Sequence, residues 1–291
     1  MDVQLLVVPY DSALRNVRMG AGPARLLAAG LPQRLREAGH RVGTTEVLAP
    51  EGSRPAEIRT AFELDRRLAF HAAAARAKGA LPITLAGNCN TAVGTIAGLG
   101  DGPTAVLWFD AHGDFHTPES TTSGFLDGMA LGLVTGRCWG RMAASVPGFV
   151  PVAEENVVLV GGVDLDPPEA ELLAVSGVTH LSPAEAVAGG LAAALAPLAR
   201  RTRQLYVHVD LDVLDGSEGR ANEYAGGPGL SLDDLLALLG EAARHCRIAA
   251  AAATAYDPAY DPGGTICRAG LRVVGAVADL AAVPVAARPV A

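Results

Sequence analysis

Residues 105–116 read AVLWFDAHGDFH, an apolar run that stops abruptly at Asp110, His112 and Asp114. The run 105–109 has the composition of a buried strand. Were extended backbone to continue past it, side chains two apart would face the same way, and the two carboxylates and the imidazole would converge on one point. Such a donor set suits a divalent ion such as Mn²⁺ or Zn²⁺. Taken alone, the pattern also reads as a strand-end salt-bridge or capping cluster.

A second stretch shifts that balance. Residues 205–215, LYVHVDLDVLD, form another apolar strand, ending in Asp210, Asp212 and Asp215. Carboxylates crowded at strand ends repel one another, and buried ones persist only when paired or bound to metal. Two cations are the economical compensation.

The 291 residues fit either two domains or one large α/β domain, and no linker divides them. A single domain over 1–291 is expected. With 23 basic and 31 acidic residues the formal net charge is −8, which argues against nucleic acid or an anionic membrane as partner and fits a small cationic or zwitterionic ligand. Cys89, Cys138, Cys246 and Cys267 are widely spaced, so neither a disulfide framework nor a zinc finger is indicated, and reduced, cytoplasmic thiols are expected. The N-terminus lacks a signal-peptide pattern, and no uncharged apolar span of about 20 residues occurs. Lys78 is the only lysine and no phosphate-binding glycine loop precedes it, which excludes P-loop chemistry and argues against a Schiff base.

Strand-like runs at 3–8, 42–47, 82–86, 105–109, 157–160, 178–180, 205–209 and 248–255 alternate with helix-like segments at 22–38, 56–77, 91–99, 124–133, 183–199, 232–245 and 265–280. This rhythm predicts a doubly wound parallel sheet. Ser182 before Pro183 and Ser231 before Leu232 are N-cap signatures. Gly20-Ala21-Gly22 invites a dinucleotide reading, but Arg25 occupies the third glycine position, so a turn and a helix start at Pro23 is the better account. Polar residues follow five separate strands: Asn88 to Asn90, Asp110 to Asp114, Asp164 and Asp166, Asp210 and Asp212, and Tyr256-Asp257. In open α/β sheets the ligand crevice lies at such carboxyl ends.

At this point the chain resembles the ureohydrolase superfamily of arginase, agmatinase and formiminoglutamase over nearly its whole length. WFDAHGDFHTPESTTSG is similar to that family's D-A-H-x-D-x-x-T-P-x-x-T-x-S-G signature, and VHVDLDVLD to its D-x-D-x-x-D signature. The resemblance implies a three-layer α/β/α domain with a parallel sheet of about eight strands. It further implies two Mn²⁺ ions, a hydroxide that attacks a guanidinium or formimino carbon, and release of urea or formamide. Five of six ligands transfer: Asp110 and Asp210 as bridging carboxylates, His112 and Asp212 on one ion, Asp114 on the other. Cys89 stands where the family has its sixth ligand, a histidine. A thiolate there would pull selectivity toward Zn²⁺. The other reading is a small buried packing residue. A similar cysteine occurs in the branch that includes an Nω-hydroxyarginine hydrolase.

The same resemblance assigns Thr121 and Ser123 to a substrate α-carboxylate and Asp166 to an α-amino group. Three departures bear on the chemistry. His116 stands for an asparagine, Asp127 for the proton-shuttling histidine, and Ala255 for a glutamate that binds guanidinium. Asp127 is read either as a general acid with a raised pKa or as a binding anion. Charge missing at Ala255 implies a less basic head group, or replacement by Glu223, Asp127 or Asp257. His208 faces the same way as Asp210 and either orients a ligand or is a satisfied core histidine. The expected function is therefore hydrolysis of a C–N bond in a guanidino, hydroxyguanidino or formimino compound, with arginine itself disfavoured. The alternative is a catalytically silent scaffold that binds a ligand or partner. A homo-oligomer is allowed, although residues 281–291 carry no recognisable assembly signal.

Overall fold

The computed structural model describes residues 1–50, 56–100 and 102–283. Most of the C-terminal segment considered for assembly, 284–291, lies outside them. Eight strands form one parallel sheet: β1 (Asp2–Val8), β2 (Arg41–Glu46), β3 (Leu81–Ala86), β4 (Thr104–Asp110), β5 (Val157–Gly161), β6 (Thr179–Leu181), β7 (Gln204–Asp210) and β8 (Ile248–Thr254). Their order across the sheet is β2-β1-β3-β8-β7-β4-β5-β6. Strands β3, β4, β5, β7 and β8 are buried along their whole length, whereas β2 and β6 alternate or are exposed. That is why the central runs read as continuous apolar stretches: both faces of a parallel sheet are covered.

Successive side chains feed opposite faces. Leu107, Phe109, Val207, Val209, Ala251 and Ala253 join one core with the helices Gly22–Ala28, Leu191–Arg201, Leu232–His245 and Thr265–Ala282. Val106, Trp108, Tyr206, Ala250 and Ala252 join the other, with the helices Glu57–Ala77, Ala92–Ala97 and Ala130–Val134. The two layers of helix around one sheet are the α/β/α architecture expected. Among the described residues no helix is long and apolar enough to cross a membrane.

Several expected helices differ in extent. The segment 22–38 is two helices, Gly22–Ala28 and Leu31–Glu37, separated where Gly30 takes a φ of 91°. The segment 183–199 is interrupted by a π-helical stretch with Gly189 at φ 100°. Of 124–133, only Ala130–Val134 is α-helix, after a 3₁₀ turn at Asp127–Met129. Here the backbone has other partners: Leu126 N–H bonds to Glu57 and His116 N–H to the Gly128 carbonyl. A helix at Pro167–Ala174 went unread, because a Pro-Pro pair looks like a break. In fact the prolines occupy its first turn, where they are tolerated, and Asp166 caps it by accepting from Glu169 N–H. The caps at Ser182 and Ser231 are formed.

The glycine pair at 20 and 22 serves packing. A Cβ on Gly22 would lie 2.1 Å from the carbonyl oxygen of Tyr256, at the end of β8. Gly22→Ala should therefore cost about 1–3 kcal/mol through overpacking. Gly240→Ala, where a Cβ meets nothing within 4 Å inside the helix Leu232–His245, should be neutral or stabilising, since alanine is the better helix former by roughly 1 kcal/mol. Urea midpoints for the two variants are expected to move in opposite directions.

Candidate active site

The four central strands β3, β8, β7 and β4 are neighbours, and their carboxyl ends meet over one cavity of about 310 Å³. Phe109 pairs with Val209 and Thr254 with Asp210, so Asp110, Asp210 and Thr254 leave the sheet at one level. The chain then bends, and backbone N–H groups turn back onto the carboxylates. His112 N–H donates to Asp110 Oδ1 at 2.8 Å, Asp212 N–H to Asp210 Oδ1 at 2.9 Å, and Ala111 N–H to Asp212 Oδ1 at 3.2 Å. Gly161, at φ 115°, allows β5 to press against this bend: its Cβ would fall 1.9 Å from the Asp110 carbonyl oxygen.

His112 Nδ1 sits 3.3 Å from Asp110 Oδ1 and 3.4 Å from Asp212 Oδ2. Burial opposes charge on His112, but Asp212 and Asp110 hold the imidazole well above its ordinary pKa. Burial also opposes charge on Asp212, which His112 nevertheless holds down at about 2. The other carboxylates go the opposite way. Burial, then the neighbouring carboxylates, push Asp110, Asp114 and Asp210 upward. One imidazolium is not enough cation for this cluster.

Extended backbone does not deliver Asp114, contrary to expectation. Strand β4 ends at Asp110, and Asp114 reaches the cavity from a left-handed φ of 50°. Its carbonyl oxygen is fixed by Leu131 and Gly132 N–H, and its carboxylate Oδ2 is buried with no hydrogen-bond partner. An orphaned buried acceptor beside four more acidic or imidazole donors fits a divalent cation. Asp110, His112 and Asp212 form one group of close potential ligand atoms; Cys89, Asp110 and His208 form another.

Cys89 Sγ lies 3.1 Å from Asp210 Oδ2 and 3.2 Å from Thr254 Oγ1, and burial, then Asp210 and Asp127, push its thiol well up. Asp127 points into the same cavity, its carboxylate accepting from Asn90 N–H at 3.0 Å and Asn88 Nδ2 at 2.8 Å. Burial outweighs those donors and raises it to about 7. His116 Nε2 faces Asp166 Oδ2 at 3.3 Å while its Nδ1 meets Ser120 Oγ. Asp166 thus divides its carboxylate between a helix cap and His116.

Ser123, Asp166, His116 and Asp127 line the cavity, but Thr121 and Glu223 are not among its walls. Thr121 Oγ1 instead accepts from Gly124 N–H and pairs with Ser123 Oγ. Glu223 is exposed. Its neighbour Asn222 is the buried member of that loop, donating from Nδ2 to Asp212 Oδ2 at 3.2 Å and to the Ala255 carbonyl at 2.9 Å. Asp257 accepts from Ala259 N–H as a cap. Asn222, Glu169, Met19, Phe125 and Tyr224 also border the cavity and were not read from the sequence. Glu169 holds Phe115 N–H at 2.9 Å. Only the spacing of Asn222 behind the second carboxylate cluster offered a signal for it.

Residues 1–278 match the family model described as Arginase family. Among curated proteins, the chain is 29% identical to an arginase of Bacillus caldovelox over 233 residues, 74% of this chain and 77% of that one. It is 32% identical to an N(omega)-hydroxy-L-arginine amidinohydrolase of Streptomyces lavendulae over 217 residues, 73% of this chain and 74% of that one. The solved native structure of Bacillus caldovelox arginase superimposes with a TM-score of 0.86 at 23% identity, covering 95% of this chain and 98% of the other. Formimidoylglutamase of Bacillus subtilis gives 0.75 at 17% identity, covering 96% and 86%.

The raised carboxylates set a pH dependence. A carboxyl whose folded pKa is raised stabilises the fold below its unfolded pKa and loses that contribution as pH climbs through the folded value. Metal-free protein should thus lose stability as pH climbs above the ordinary carboxylate range through Asp110, Asp114 and Asp210, while divalent metal needs these groups deprotonated. The gain in Tm on adding Mn²⁺ should grow over that interval and be smaller in Asp114→Asn, as read by thermal unfolding with metal or chelator.

Proposed function

Because the chain belongs to the arginase family, we propose that it is a binuclear metal-dependent amidinohydrolase acting on a hydroxyguanidino or formimino compound with an amino-acid end, and a poor hydrolase of arginine. Cys89, Asp110, His112, Asp114, Asp210 and Asp212 would hold two divalent ions, Mn²⁺ at the oxygen and nitrogen donors, with Zn²⁺ competing at Cys89. Such ions supply Lewis acidity and lower the pKa of an attacking water.

The observation that carries the substrate reading is where the compensating charge sits. Ala255 offers none, Glu223 is exposed, and Asp257 is committed to a cap. Of these candidates only Asp127 faces the cavity, and its own charge is weakened by burial. A guanidinium would find no carboxylate at position 255, and Glu169 on the cavity wall is already tied to Phe115 N–H, whereas an N-hydroxylated guanidine is less basic and needs that charge less. Asp127, raised to about 7 by burial, is suited to hold a proton at its carboxyl and pass it to the departing nitrogen. Ser123 and Asp166 would orient the amino-acid end, with His116 steering Asp166. The Streptomyces relative, named for hydroxyarginine, supports this choice. The wide spacing of the four cysteines, which carries no disulfide framework, supports a reducing cytoplasmic setting.

A charged hydrogen bond in a closed site is worth about 1.5–3 kcal/mol, so kcat/KM for Nω-hydroxyarginine should exceed that for arginine by roughly 10- to 150-fold with manganese supplied. A ratio near one would return arginine to the list. Asp212→Ala should abolish turnover, and substantial activity in that variant would exclude the metal-dependent reading. Asp127→Asn should lower kcat by about 10²–10⁴ if it is the proton donor; a rise in KM at constant kcat would make Asp127 a binding anion instead.

A further inference from the structure

Beneath the candidate metal centre a line of polar side chains runs through the otherwise apolar core. Tyr206 OH meets His208 Nδ1 at 2.9 Å, His208 Nε2 meets Thr254 Oγ1 at 3.1 Å, and Thr254 Oγ1 meets Cys89 Sγ at 3.2 Å. All four residues are buried. The His208 ring lies flat on Trp108, with centroids 3.6 Å apart and planes 7° from parallel, and Trp108 Nε1 donates to Asp110 Oδ2 at 3.0 Å. One stacked pair therefore supports Asp110 directly and Cys89 through Thr254.

We propose that Tyr206, His208 and Thr254 are positioning residues whose last donor, the Thr254 hydroxyl, holds the Cys89 sulfur as a metal ligand. The inference rests on the metal-centre reading above. His208 itself is no ligand despite its nearness to Cys89 and Asp110, because both ring nitrogens already have partners. With the Tyr206 hydroxyl donating to Nδ1, a neutral ring carries its proton on Nε2 and donates to Thr254, whose own proton then turns to the Cys89 sulfur at 3.2 Å or to the more distant Val209 carbonyl at 3.4 Å. The thiol uses its own proton toward Asp210 Oδ2 at 3.1 Å. Once that proton is given up on ligation, the sulfur needs donors, and Thr254 is in place as one. A cysteine that merely fills space needs no such chain, since replacing hydrogen-bonded partners by apolar groups of the same shape is nearly neutral or stabilising.

The test titrates the metal-stripped full chain with Co²⁺, following heat release and the near-ultraviolet thiolate-to-cobalt charge-transfer band. The wild type should bind two ions and show the band. Thr254→Val should keep the affinity of the first ion, weaken the second by about 10- to 100-fold, and diminish the band, while Thr254→Ser restores both. His208→Phe, which keeps a ring against Trp108, should repeat the valine result and serves if the valine variant does not fold. Wild-type affinity and band in Thr254→Val, or in His208→Phe in its place, would overturn the relay. A wild type that binds ions without the band would overturn Cys89 as a ligand and the relay with it, whereas failure to bind any Co²⁺ would overturn the metal centre proposed above.

Discussion

Like charges held close together in a dry place are the constraint around which this molecule is built. Asp110, Asp210 and Asp212 are each nearly inaccessible to water, and that burial, then repulsion among them, raises the pKa values of Asp110 and Asp210. Backbone N–H groups at the ends of β4 and β7 offset part of that cost. They do so only because the two strands are adjacent and in register. A slip of one residue would turn Asp110 onto the opposite face of the sheet, into the core that holds Leu107 and Phe109. The sheet is in this sense a jig for carboxylates.

The loops finish what the strands begin by being tied to helices. Asp114 takes a left-handed conformation that aspartate tolerates, and its carbonyl is captured by the amide groups that open the helix Ala130–Val134. Ala255, also left-handed at φ 58°, has its carbonyl held by Asn222. Both positions are strained conformations sustained by their surroundings, and both line the cavity. Packing, and not loop flexibility, fixes the geometry of the site.

Much of this was legible before any coordinates. Each sheet strand was visible because apolar runs of the right length stood between turn residues, and the two carboxylate clusters announced the site because charge at the end of a buried strand demands a reason. Less legible was whatever depends on partners that only the folded chain supplies. Residues 124–133 have helical composition, yet Leu126 and Gly128 are engaged by Glu57 and His116. Glu223 and Asn222 are neighbours of similar polarity, and only the fold decides which turns inward. Thr121 matched a signature by position, while its hydroxyl is used in its own turn. His208 was readable as a core histidine or as a support for the site; it is buried, stacked on Trp108 and partnered at both ring nitrogens.

Strand β8 is five alanines long between Ile248 and Thr254. Its residues Ala250 and Ala252 stand beside Tyr206 and His208 in register, and they are small where their neighbours on β7 are large. The room that Tyr206, His208 and Trp108 occupy is room that β8 declines to fill. Ala252 stands between Thr84 on β3 and His208 on β7, so an enlarged side chain there would crowd the strand face that carries the His208 ring and Trp108. The plainest segment of the chain is thus the one that leaves space for the bulkiest side chains beneath the carboxylates.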